Sequence, residues 1–228
     1  MAPFLLSILL GLALTIVMAR VSARRTRLAL DANSTDLREP RLDPVLGRLA
    51  AALDVPAIPV RVWEVPVVNG LADPDGRVFL TRGFLQKLRA GEVSPEEIGS
   101  VVAHELGHVA LGHSRRRMID ATGGNAVRMG LAFALSRVLG GLGVWVAQGL
   151  MALLHAGLSR RDEFEADRYA TALLIKAGIG AGPQKSLFRK LDALAGRGAR
   201  PPAWLLTHPA TAQRVAAIEE AERRWLAA

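Results

Sequence analysis

The chain has 228 residues, half of them apolar, which is enough for one domain with a real core plus a small appendage. It holds no cysteine, so there is no disulfide framework or thiolate site, and any metal must be held by His, Asp or Glu. The formal charge is +8, yet a single Tyr, the lack of an aromatic ribonucleoprotein motif and the lack of a basic-region helix argue against a nucleic-acid partner.

Ala2 to Ala19 is 18 residues without a charge, close to the ~20 that cross a bilayer as a helix. Arg20, Arg24, Arg25 and Arg27 follow at once, a pattern suited to anionic lipid headgroups. A cleaved signal peptide, ending near Val21-Ser22-Ala23, is the rival reading, but no basic residue precedes the apolar stretch. Residues 1–27 are therefore read as a retained anchor that contacts membrane lipid through residues 2–19. Its basic flank predicts a single-pass protein at the cell membrane with the remainder cytoplasmic; cleavage would place that remainder outside.

Residues 28–42 are polar and mixed and read as a linker, leaving 43–228 as one domain. Asp43-Pro44 opens a helix whose face is Val45, Leu46, Leu49, Ala50 and Leu53, ended by Pro56 and Pro59. Val60 to Val68 alternates as a strand, with Pro66 confining it to an edge or bulge. Asp73-Pro74-Asp75-Gly76 is a turn, and Arg77 to Thr81 returns as a second strand, so a small antiparallel sheet is expected. Ser94-Pro95-Glu96-Glu97 is a capping box with Pro at the first helical position, and Ile98, Val102, Leu106 and Val109 form that helix's apolar stripe. Ala126 to Leu158 is apolar but broken by Arg128, Arg137 and Gln148; Met118 to Leu158 offers 41 residues, barely a membrane hairpin. It reads better as a helix packed in the domain or lying in the interface. A helix starting at Ser159, capped by Asp162, runs to about Lys176; another carries Leu187, Phe188, Leu191 and Leu194. Gly196 to Pro202 is a loop, and Ala212 to Trp225 is the last helix. The fold class is α+β and mainly helical.

Residues 101–113 read VVAHELGHVALGH. His104 and His108 stand four apart on a helix, so their rings stack on one face and can share one Zn²⁺ at ~2.0–2.1 Å. A chance His-Glu-x-x-His is expected about once in two hundred such chains, so the spacing carries information. His113 falls elsewhere on the wheel and is read as a non-ligand. A catalytic zinc takes a third protein ligand and keeps one position open. SRRDEFEADRYA, 159 to 170, supplies Glu163 and Asp167 on one helix face. Glu163 is the expected third ligand, and Asp167, one turn on, the acceptor that fixes the tautomer of a zinc histidine. Glu165 is expected to point away into solvent.

HELGH followed by the E-x-x-A-D of residues 163–167 resembles the HtpX-like zinc metallopeptidases, a group that includes CAAX prenyl endopeptidases and mitochondrial and periplasmic quality-control proteases. The resemblance spans roughly residues 43 to 220 and implies a zincin-like domain with one zinc per chain. Val67-Val68-Asn69-Gly70 and Leu80 to Leu85 match the family's sheet, Gly70 departing from the usual Ala, and His208-Pro209 with Arg214 matches its C-terminal element. By that resemblance His208 donates to the oxyanion or else caps the zinc in a resting enzyme, and Arg214 steadies the same loop or neutralises charge near the oxyanion. Glu105 is read as general base. An edge near Val68, Asn69 and Gly70 would pair with an extended polypeptide substrate; Trp63 and Trp204 read as core before subsite. The reading is a membrane-anchored endopeptidase in quality control or processing. A latent, His208-capped zinc scaffold is the alternative, and prenyl-protein processing is disfavoured by the single anchor.

Overall fold

The computed structural model describes residues 16–17, 20–21, 24–73, 75–113, 132–133, 135–195, 203–208 and 212–227. The predicted anchor, apart from residues 16–17, 20–21 and 24–27, lies outside these, as do the Gly196 to Pro202 loop and Pro209. Among the described residues no helix is long and apolar enough to cross a membrane. The chain forms two compact units, residues 1–32 with 113–161, and residues 33–112 with 162–228.

In the second unit the strands are β1 (Ser34–Asp36), β2 (Val60–Trp63), β3 (Gly70–Ala72) and β4 (Val78–Thr81), and the sheet order is β1-β2-β4-β3. The expected antiparallel sheet is corrected to a mixed one, because β2 and β4 run parallel while β1–β2 and β3–β4 are antiparallel. The run read as one strand to Val68 stops at Trp63. Pro66 has no N–H for a ladder, and the chain crosses over before a new strand starts at Gly70. The predicted turn does close a hairpin, with Gly76 at φ +87 and its N–H 3.0 Å from the Asp73 carbonyl, but the arm it joins to β4 is β3.

The stretch read as a linker also carries structure. Residues 24–32 are helical, β1 pairs with β2, and a 3-10 turn over Pro40–Leu42 buries Leu42 completely. Ser34-Thr35-Asp36 has no apolar alternation to announce a strand. It is recruited by pairing, with Arg61 of β2 reaching back to Ser34 Oγ at 2.9 Å and to Asp36 Oδ1 at 3.1 Å.

The helices of this unit are α1 (Asp43–Ala52), α2 (Arg82–Arg89), α3 (Pro95–Ala110), the last turns of α4 (Leu142–Lys176), α5 (Gly182–Ala195), α6 (Ala203–Thr207) and α7 (Ala212–Leu226). The capping box that opens α3 is present in both directions, Glu97 N–H to Ser94 Oγ at 3.1 Å and Ser94 N–H to Glu97 Oε2 at 2.8 Å. Val45, Leu49, Phe84, Leu88, Ile98, Val102, Leu174, Leu187, Leu191 and Ile218 meet in one core that surrounds α3. The helix is buried on its histidine side as well as its apolar one: Leu106 and Val109 are only partly buried, while His104, Glu105 and His108 are fully so.

α4 is one helix from Leu142, so no helix starts at Ser159, and Asp162 is buried in its middle instead of capping an end. A capping side chain acts only where the preceding turn stops, and no proline between Leu142 and Ser159 stops it. In the first unit, Leu142, Trp145 and Leu150 on this helix are exposed, and residues 126–131 and 134 of the stretch read as a packed or interfacial helix lie outside the described residues.

Candidate metal centre

Three elements of the second unit meet at the site: α3 brings His104, Glu105 and His108, α4 brings Glu163 and Asp167, and the end of α6 brings His208. Gly107 explains how the first two come so close. A Cβ there would lie 3.1 Å from the Ala166 carbonyl oxygen and 3.2 Å from Ala166 Cα, so only glycine lets the two backbones approach.

Nε2 of His104 and Nε2 of His108 are 3.1 Å apart, and each is 3.4 Å from an oxygen of Glu163. Ligand atoms around a tetrahedral ion at ~2.0–2.1 Å stand roughly 3.3–3.4 Å from one another. Each of these distances is close to the edge of a zinc-sized tetrahedron, the two histidines facing different oxygens of the one carboxylate, Oε2 for His104 and Oε1 for His108. All four of His104, His108, Glu163 and His208 are buried, with their ligand atoms within 4.8 Å of each other, and together they could hold a metal ion.

Asp167 stands one turn after Glu163 on α4. Its Oδ1 accepts from Nδ1 of His104 at 3.0 Å, which leaves Nε2 free to face the cluster. Arg214, buried on α7, grips Asp167 with two bonds, Nε to Oδ2 at 2.6 Å and Nη2 to Oδ1 at 2.8 Å, and its Nη1 is 3.2 Å from Glu163 Oε2. It thus faces both carboxylates with its one positive charge. Gln184 and Thr171 complete the support: Thr171 Oγ1 donates to Gln184 Oε1 at 2.9 Å, and Gln184 Nε2 reaches Asp167 Oδ1 at 3.4 Å. Neither residue carried a signal in the sequence, since a lone polar residue on an apolar helix has no motif around it.

The charges are sorted by these contacts. Burial raises the Glu163 pKa, but hydrogen bonds from His104, His108 and His208 outweigh it and hold the carboxyl well below the usual range. Asp167 is likewise held low, Arg214 and His104 prevailing over burial. Burial lowers the His108 pKa to about 3, keeping a neutral ring. For His104 burial also acts downward, yet the bonds to Asp167 and Glu163 win and raise it to about 9. A divalent ion bound at its Nε2 has to displace that proton.

His208 turns Nδ1 into the cluster, 2.8 Å from Glu163 Oε2 and 3.3 Å from His104 Nε2, while its Nε2 faces Glu105 Oε1 at 3.4 Å. That Glu105 oxygen is buried and makes no hydrogen bond among the described residues. A buried acceptor left without a donor beside a ligand set fits a site built to take a water and its proton. Trp204, which the sequence left between core and subsite, is buried and tilts against His208, ring centroids 5.3 Å apart, and stacks on Phe188 at 5.5 Å. Phe188 in turn lies under the Arg214 guanidinium at 4.7 Å.

Of the predicted substrate edge, Gly70 sits beside the site, a Cβ on it coming within 3.9 Å of Glu105 Cγ. β3 is an end strand of the sheet, so one side of its backbone has no strand partner. Asn69 is turned inward, its carbonyl accepting from Thr81 N–H at 3.1 Å and its side chain from Gly70 N–H at 3.0 Å. The carbonyl of Val68 already accepts the Trp204 N–H at 3.0 Å, so the open edge begins after Val68. Glu165 is half-buried, not out in solvent.

Buried imidazoles and a carboxylate at tetrahedral spacing, with an unsatisfied glutamate at their side, define a metal-dependent hydrolase. The profile of Peptidase family M48 matches residues 36–222, most of the chain, and the chain belongs to that family of metalloendopeptidases. It is 30% identical over 185 residues to the metalloprotease LoiP of Escherichia coli, covering 79% of this chain and 69% of that one. The metalloprotease YcaL of the same organism is 32% identical over 185 residues, 77% of this chain and 68% of the other. Human mitochondrial metalloendopeptidase OMA1 is 26% identical over 175 residues, 71% of this chain but a third, 33%, of its own length.

Proposed function

We propose that this chain is a zinc endopeptidase for unfolded or membrane-inserted polypeptides, anchored to the cell membrane through residues 2–19 with its peptidase domain in the cytoplasm. The observation that carries the chemistry is the convergence of His104 Nε2 and His108 Nε2, 3.1 Å apart, on the Glu163 carboxylate, each 3.4 Å from one of its two oxygens. These three residues would hold one Zn²⁺, with Asp167 orienting His104 and Arg214 balancing the acids. Bound there, zinc supplies a Lewis acid that polarises the scissile carbonyl and makes water a stronger acid. Glu105, whose Oε1 has no hydrogen bond among the described residues, takes the proton of the attacking water and returns it to the leaving amine. His208 donates to the oxyanion that develops on the substrate carbonyl. The outer side of β3, at Gly70 and Ala72, reads the substrate through its backbone, which suits unfolded chains of varied sequence. The exposed apolar side chains at Leu142, Trp145 and Leu150 support a position against lipid.

A second reading, a latent enzyme capped by His208, is favoured by the 2.8 Å contact of its Nδ1 with Glu163, which puts a ring nitrogen among the ligand atoms.

The test is zinc content and casein cleavage of the full chain in detergent. Glu105→Gln is expected to keep its zinc and lose cleavage by about 10²–10⁴-fold, and Glu163→Ala to lose the zinc. Equal zinc in wild type and Glu163→Ala would remove the third ligand. His208→Ala separates the two readings: a fall of about 10–10³-fold marks a donor, a rise marks a cap.

A further inference from the structure

The far end of the sheet from β3 carries a groove of about 530 Å³ that the peptidase chemistry does not use. This volume is in the range of roughly 300–1,000 Å³ typical of small-ligand sites. Its floor is apolar, Val62 of β2 and Leu85 of α2, both buried, and its walls carry Arg38, Arg61, Arg82 and Arg89. The four guanidiniums come from four places: the stretch after β1, β2, and the first and last turns of α2.

Carboxylates hold Arg82 and Arg89 in place without using them up, whereas Arg61 is fully engaged. Arg61 is spent entirely on β1, with bonds to Ser34 Oγ, Ser34 O and Asp36 Oδ1. Arg82 gives Nε and Nη2 to Glu64, which leaves Nη1. Arg89 gives only Nε, to Glu39 Oε2 at 3.0 Å, which leaves both terminal nitrogens. Arg38 is exposed and makes no hydrogen bond or ion pair among the described residues. Glu39 is held low by Arg41 and then Arg89, and Glu64 by Arg82 and Thr35, so both stay charged and the forks remain fixed. One acid, Asp36, shares the groove and is already paired with Arg61.

We infer that this groove binds a phosphate group carried on a small organic body, through Arg38, Arg82 and Arg89. Planar forks match the oxygens of phosphate two at a time, and pre-anchored ones lose little freedom on binding. A bare anion fills little of the volume, while the apolar floor accommodates what the phosphate is attached to. A phospholipid headgroup and a free phosphate ester share this chemistry.

The experiment titrates the full chain in detergent with dihexanoyl-phosphatidylglycerol below its micelle-forming concentration, with inorganic phosphate, and with hexaglutamate, following ³¹P line width or heat. Arg38→Ala, which breaks no internal bond, and Arg38→Ala/Arg89→Gln are compared with Arg223→Ala, an exposed arginine elsewhere. The expected result is phosphate-dependent binding that weakens by about tenfold in the double variant, less in the single, and not in Arg223→Ala. Tighter binding of the lipid than of inorganic phosphate supports a phosphate on an organic body and assigns it to a headgroup; equal binding would show that the body adds nothing and overturn the proposal. Equal weakening in Arg223→Ala would reduce the effect to the net charge of the chain and overturn the site, as would preference for hexaglutamate. Melting temperatures of all three variants confirm folding.

Discussion

The two sides of the metal centre are built differently. His104, His108, Glu163 and Asp167 stand on long helices packed into the core, one with a complete capping box and both pressed together at Gly107. His208 stands at the end of a five-residue helix, tied by the Trp204 N–H to the Val68 carbonyl and by a ring contact to Trp204. Rigid elements fix the ligands whose spacing must be right, and the group that has to meet a changing charge sits on a shorter segment held by fewer bonds. On this view, damage to the first side shows in zinc affinity, and damage to the second in turnover.

The largest effect is expected from Asp167→Asn. It removes the negative charge and one of the two acceptor oxygens, so the amide cannot accept from His104 Nδ1 and from both nitrogens of buried Arg214 at once. Zinc affinity should drop about 10–100-fold, and stability by about 3–5 kcal/mol for a broken buried pair. Chelator competition and urea unfolding measure the two losses. Unchanged affinity would show that the helix side does not depend on this support.

Next comes Gly107→Ala. The new methyl meets Ala166 backbone at 3.1–3.2 Å, and backbone cannot rotate aside, so α3 and α4 must part. Overpacking of this kind costs about 1–3 kcal/mol, partly offset by the ~1 kcal/mol helix preference of Ala over Gly. The separation also moves Glu163 away from the histidines, and zinc affinity is expected to fall about tenfold. If affinity holds while stability drops, the ligand spacing is set by the ion and not by the helix contact.

This same division governs how much could be read from the sequence. The α3 side was legible because its chemistry is local: two histidines a turn apart, a capping box in front, and a second acid pair one turn apart. His208 and Arg214 had no local spacing to announce them and entered only through resemblance to a family. The sheet misled for a physical reason. Val60 to Val68 has strand residues throughout, but Pro66 and the unmarked β1 pairing decide the topology, and neither appears as a periodic pattern. The uninterrupted α4 was hidden behind a capping signal at Ser159 that nothing in the fold uses.

Trp204→Phe probes the other side. Phe keeps the backbone bond to Val68 and part of the ring contact, and an aromatic pair of this kind is worth about 0.5–1.5 kcal/mol. Zinc content is therefore expected to stay at the wild-type level while kcat for casein falls about 2–10-fold and KM stays put. A change in KM or in zinc instead would place Trp204 among the substrate contacts or the core alone.

The smallest effect is expected at Glu97, the far end of α3 from the metal. Burial raises its pKa, but hydrogen bonds from Lys190 at 2.8 Å, Ser186 at 2.6 Å and the Ser94 N–H at 2.8 Å outweigh that and lower it. A carboxyl whose folded pKa lies below its unfolded value of about 4.3 favours the folded state above that pH. The contribution then shrinks as pH falls from about 4.3 through the lower folded value. Lys190 is 43% exposed, so solvent screening holds the expected cost of Glu97→Gln near 1 kcal/mol at pH 7. Urea unfolding of both proteins from pH 7 downward should show the two stability curves converging below about pH 4. A gap that stays constant with pH would mean that Glu97 supports the start of α3 through its shape and capping bond, with its charge playing no part.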